Sequence, residues 1–160
     1  MPPPAPPRKL LLIGWDAADW KIISPLMDAG LMPTLSRFVE QGCMGNLATL
    51  QPCLSPMLWT SIATGKLADA HGVHGFVEPT PDGGNVRLVG SHSRKAKAIW
   101  DICGEAGLRT HVLGWYASHP AEAVNGVAVS DQFLHTAPAN LLTDRSWVHP
   151  PELADRLSPL

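Results

Sequence analysis

Lys9-Leu10-Leu11-Leu12-Ile13-Gly14-Trp15-Asp16 is an unbroken apolar run closed by glycine and aspartate. A strand with one wet face alternates polar and apolar residues, whereas a strand covered on both faces is apolar throughout. The run 9–14 therefore predicts a strand buried in a parallel sheet. Asp16 falls just past its C-terminal end, the edge where open α/β sheets bind ligands.

Helix and strand patterns alternate downstream. Helices are predicted over 19–27 and 33–41, the second with Pro33 at its start, Leu35, Phe38 and Val39 on one face, and Gly42 as its stop. A strand is predicted over 47–50, then a helix over 56–64 ended by Gly65. Pro81-Asp82-Gly83-Gly84 marks a turn between strand-like runs 75–77 and 86–89. An amphipathic helix over 95–106 points Ile99, Ile102 and Cys103 inward and stops at Gly107, and strands follow over 110–113 and 127–129. The expected class is α/β with a largely parallel sheet flanked by helices. Residues 1–8 read as a proline-rich disordered tail and 9–160 as one domain. A helix opening at Pro150-Pro151-Glu152 and abandoned after Leu157 suggests truncation at the C-terminus.

The 160 residues, 45% hydrophobic and 16% charged, can build a globular core. A net charge of -2 argues against a general nucleic-acid or membrane-surface binder, and the basic cluster is confined to Arg94, Lys95 and Lys97. Cys43, Cys53 and Cys103 are odd in number and lack metal-type spacing, so they read as free thiols packed as small core residues. No run has the shape of a signal peptide or the length of a spanning helix, which sets the expectation of a soluble, cytoplasmic chain.

Two residues stand where chemistry is possible. Asp16 is either the N-cap of the following helix or a ligand for a divalent cation, with Ala17 and Ala18 leaving space beside it. Ser55 precedes Pro56 and an apolar helical run, so it is either a plain N-cap or a nucleophile mounted at a helix N-terminus, where free amides and the dipole attract phosphate. A serine hydroxyl needs activation to attack, and metal coordination supplies it. His71 and His74 are three apart but flanked by Gly72 and Gly75, which favours turn histidines bonded to backbone over a metal pair. The other histidines show no ligand spacing. Trp15, Trp59 and Trp115 read as core, with Trp15 and Trp115 also placed to line a cleft.

Leu11-Leu12-Ile13-Gly14-Trp15-Asp16, Met32-Pro33-Thr34-Leu35, Leu54-Ser55-Pro56 with Trp59-Thr60-Ser61, Ala63-Thr64-Gly65 and His71-Gly72 together resemble the type I phosphodiesterase/nucleotide pyrophosphatase family of the alkaline phosphatase superfamily. The resemblance runs from about Lys9 to the end. It implies an alkaline phosphatase-like core, incomplete here, and a small phosphate-ester substrate. It further implies two divalent metal ions, zinc or manganese, and a phosphoryl-enzyme intermediate. Asp16 matches the first metal-binding aspartate, and Ser55 matches the nucleophile, which also touches the metal. Phe76 stands where an asparagine holds a phosphate oxygen, and the later aspartate and histidine ligands have no counterpart. Ser55 in place of cysteine speaks against formylglycine sulfatases. The readings set beside a phosphoesterase are a catalytically inactive truncated α/β fragment and part of a phosphoryl-group transferase or mutase. A truncated domain would expose core surface and self-associate.

Overall fold

A computed structural model describes residues 9–135, 140 and 143–157. The expected tail over 1–8 lies outside the described residues. The chain divides into two compact units, Met1–Leu47 and Ala48–Leu160.

In the first unit, α1 (Trp20–Asp28) starts because the Asp19 carboxylate accepts from the Lys21 amide at 2.8 Å. Gly30, at φ 72°, turns the chain out of α1, and Pro33 opens α2 (Pro33–Gln41), where its missing N–H costs nothing. The Trp20 indole donates to the Gly45 carbonyl at 3.1 Å, tying the segment after α2 back to the start of α1.

The run 9–14 departs from its expected form. It belongs to no strand, and Leu10 and Ile13 are 89% and 75% exposed. Apolarity shows that a segment favours being covered, but a strand exists only as one side of a hydrogen-bonded ladder. Among the described residues no ladder engages 9–14, nor the expected strand over 47–50.

In the second unit, α3 (Ser55–Thr64) and α4 (Ala68–His71) lead into a hairpin of β1 (Val77–Pro79) and β2 (Val86–Leu88). Its antiparallel register is Val77↔Leu88, Glu78↔Arg87 and Pro79↔Val86. Then come α5 (Ile99–Glu105), β3 (Thr110–Leu113), β4 (Gly126–Val129), β5 (Val148–His149) and α6 (Leu153–Leu157). The sheet order is β3-β4-β5, with β3 parallel to β4 from Thr110↔Gly126 to Leu113↔Val129 and β5 antiparallel to β4. The class is thus mixed α/β with small sheets. The expected largely parallel sheet is not seen: among the described residues one strand pair is parallel and two are antiparallel. The parallel pair β3–β4 is joined by a crossover, 114–125, that contains no helix, and β5 returns antiparallel beside it.

Two apolar clusters organise this unit. One joins Ala63, Ala98, Trp100, Val112 and Ala128 with Trp115, Ala121 and Val124 against them. The other joins Val73, Val89 and Ala117 with Tyr116. The helix expected over 95–106 begins only at Ile99, because the Asp101 carboxylate takes the Ala98 amide at 2.8 Å. That start rotates Trp100 inward and leaves Ile99 and Ile102 exposed. The indole is held by Glu122, which accepts from its Nε1 at 3.1 Å, and by the Arg94 guanidinium 5.2 Å above the ring. Two members of the basic cluster form ion pairs: Arg94, nearly buried, with Asp101 and Glu122, and Lys97, exposed, with Glu105. The three thiols are free, as expected, yet Cys43 and Cys53 are exposed and Cys103 is half-buried, so none is a core residue. Among the described residues no helix is long and apolar enough to cross a membrane.

Gly126 opens β4 so close to β3 that a Cβ there would collide with the Thr110 carbonyl. Gly126→Ala is expected to lower stability by about 1–3 kcal/mol, the usual cost of overpacking a site that cannot give. Gly45→Ala, where a Cβ meets open space, is expected to stay within about 0.5 kcal/mol. Urea midpoints of the two variants check this, and equal midpoints would contradict it.

Candidate functional site

Ser55 is the first residue of α3, with Leu54 in the cap position in an extended conformation (φ -118°, ψ 117°) and Pro56 second. The sequence reading set serine on the cap and proline first, so the helix begins one residue earlier than expected. Proline suits the first turn because its fixed φ is helical and its absent N–H would have had no partner inside the helix. The buried face of α3 mixes Pro56, Met57 and Ala63 with two satisfied threonines: Thr60 Oγ1 donates to the Pro56 carbonyl and Thr64 Oγ1 to the Thr60 carbonyl, each at 2.7 Å. Gly65, left-handed at φ 65°, closes the helix by donating to Ser61 O at 2.8 Å.

Two loops frame the start of this helix. Ser55 and Trp59 are four residues apart and share a face. The Trp115 indole donates to the Trp59 carbonyl at 3.1 Å, and the two rings meet edge to face at 5.2 Å. On the other side a Cβ on Gly75 would touch Leu54 at 3.9 Å. Phe76, half-exposed, meets Tyr116 edge to face at 6.3 Å.

His71 is wholly buried and was given no site role by sequence. As expected of a turn histidine it bonds backbone: its Nδ1 accepts from the Val73 amide at 3.1 Å. Its Nε2 faces Ser61 Oγ at 3.0 Å. Burial, and then the neighbouring His74, hold its pKa below the ordinary histidine value, with Asp69 acting in the opposite sense.

The loop after β3 is held by Asp131. Its carboxylate accepts from the Ala117 amide at 3.0 Å and the Ser118 amide at 3.1 Å, which stabilises Ala117 in the left-handed region at φ 59°. His119 follows, stacked on Trp147 with centroids 4.3 Å apart and its Nδ1 3.3 Å from Ser130 Oγ. Burial lowers the His119 pKa too. Sequence alone offered no signal for Asp131 or His119, because their partners come from distant positions.

Asp16 lies in the first unit, in a turn where the Ala17 amide donates to its Oδ1 at 3.1 Å and Ala17 itself is left-handed at φ 56°. It does not cap α1; Asp19 does. Trp15 beside it is 58% exposed rather than core. Among the described residues no group of three or more His, Cys, Asp or Glu side chains is arranged to hold a metal ion. The candidates on hand, one carboxylate and one hydroxyl, do not make up a ligand set for two cations.

The model of the family described as type I phosphodiesterase / nucleotide pyrophosphatase matches residues 10–157, and the chain belongs to that family. No curated protein and no solved structure matches the chain.

His71, buried, and His119, half-buried, have a consequence for stability. Each binds a proton less readily folded than unfolded, so their contribution is whole above the ordinary value of 6.5 and is lost progressively as pH falls below it. Denaturant midpoints are expected to drop between pH 7.5 and 5, and His119→Gln is expected to flatten part of that drop. A midpoint independent of pH across this window would contradict the burial seen here.

Proposed function

We propose that this chain carries the nucleophile of a phosphoric ester hydrolase, with Ser55 attacking phosphorus in line. The Oγ–P bond forms as the bond to the departing ester oxygen breaks. The hydroxyl loses its proton, the leaving oxygen gains one, and water then cleaves the phosphoryl-serine to regenerate Ser55 and release phosphate or a monoester. The observation that supports this most is the placement of Ser55 in the first turn of a ten-residue helix, where the amides and dipole favour an anion, in a chain of a phosphodiesterase family. Asp16 is the proposed metal ligand, and its capping alternative is weakened because Asp19 takes that role.

The family is generally metal-dependent, and two divalent ions, zinc or manganese, would neutralise the phosphate oxygens and acidify the serine hydroxyl. The described residues do not enclose such ions, so the roles derived above are those of the chain's own groups. The same donor shortage favours a second reading, in which the 160 residues alone turn over little and act as part of a larger alkaline phosphatase-like core. A transferase or mutase would use the same serine, because one fold hosts several reactions.

In full-length protein supplied with zinc or manganese, Ser55→Ala is expected to abolish cleavage of an aryl phosphodiester. Retention of more than a few per cent of the turnover would remove Ser55 as nucleophile. We further propose self-association through the apolar side chains exposed at Leu10, Leu11, Ile13 and Trp15. Sedimentation velocity should show mass rising with concentration, and a monomer at every concentration would refute it.

A further inference from the structure

The Ser61–His71 pair looks like a nucleophile with its base, but the proton is on the wrong nitrogen. A base must present a lone pair to the hydroxyl it activates. Here Nδ1 is committed as acceptor to the Val73 amide, which leaves the hydrogen on Nε2, facing Ser61 Oγ. Moving that hydrogen to Nδ1 would set two donors against each other in a dry interior, at the cost of an unsatisfied buried group. Ser61 is therefore held by His71 and not activated by it.

Support runs from the ring into α3. The imidazole also interacts with the Met57 backbone, so its contacts on the helix are Met57 and Ser61, two and six residues after Ser55 and one turn apart. The ring itself is anchored. The His71 carbonyl accepts from the Lys95 amide at 2.9 Å. Gly72, left-handed at φ 82°, closes α4 through Ala68 O at 2.8 Å, and a Cβ there would press on the Lys95 side chain at 2.9 Å. The charged and titratable groups acting on the ring are His74 and Asp69.

We infer that His71 is a positioning residue for Ser55, holding the first turns of α3 through a neutral ring whose proton sits on Nε2. The inference rests on the reading of Ser55 as the phosphoryl-binding hydroxyl. Glutamine can place its amide where Nε2 stands, whereas asparagine can place its carbonyl only where Nδ1 stands. His71→Gln is therefore expected to keep the grip on α3, and His71→Asn to keep only the bond from Val73.

The test compares the two variants in the full chain by amide hydrogen exchange over residues 58–61 and by 31P-detected binding of methyl phosphonate. Exchange is expected to be at least tenfold faster, and phosphonate binding weaker, in His71→Asn than in His71→Gln at matched unfolding midpoints. Variants that behave alike overturn the inference. Imidazole 15N shifts of the unaltered protein provide a measurement that needs no variant to fold: an Nδ1–H tautomer or a charged ring at pH 7 also overturns it. Ser55→Ala separates the two ideas. If it leaves phosphonate affinity unchanged while the Gln/Asn exchange difference stands, the Ser55 reading fails and the hold on α3 survives. If it removes binding while Gln and Asn match, the His71 inference fails alone.

Discussion

The arrangement of the second unit depends on satisfying one buried imidazole. His71 has no water to turn to, so each ring nitrogen must find a protein partner, and the partners available fix both its tautomer and the backbone around it. The segment after α4 supplies a donor at Val73, α3 supplies an acceptor, and the Lys95 amide takes up the His71 carbonyl. A helix, the segment after α4 and a distant loop are thereby locked by polar groups whose orientation cannot slip without leaving a donor or acceptor unpaired. Apolar packing alone would allow such slippage.

The same logic recurs around the sheet. Asp131 holds the turn after β3 by accepting from two consecutive amides, one belonging to a left-handed alanine. Arg94 bridges Asp101 and Glu122 while lying over Trp100, so a charge with little exposure is neutralised by carboxylates that also fix the central indole. Asp131 thereby orders backbone after the end of β3, and Arg94 and its carboxylates order the start of α5, whose Trp100 ring meets Trp115 edge to face at 6.0 Å. The segment after β3 meets α3 through the Trp115 to Trp59 hydrogen bond. A helix N-terminus used as an anion site needs such rigidity, because its amides act only if they are aimed before the ligand arrives.

Local signals in the sequence were legible where a local cause was enough. Pro33 and Gln41 bound α2 as expected, Gly65 stops α3, and the strand over Thr110–Leu113 stands where its apolar pattern put it. The motif set containing Asp16, Ser55 and His71-Gly72 pointed to the family that matches residues 10–157. Elements whose fate depends on partners were less legible. The run 9–14 is apolar enough for an interior strand but has no ladder among the described residues, and α5 turned Trp100 inward in place of Ile99 and Ile102. Within the basic cluster, Arg94 became a buried partner of Asp101 and Glu122, and Lys97 an exposed partner of Glu105, once those carboxylates arrived from other positions.

By itself the sequence determined the bounds of α2, the glycine stop of α3, the family, and the residue types available for phosphoryl chemistry, since prolines, glycines and motif spacing act over a few residues. Tertiary structure alone decided the directions of the strands, the burial of Trp100, and the tautomer of His71. Each of these follows from which distant group must be paired when water is excluded, and no local pattern encodes that choice.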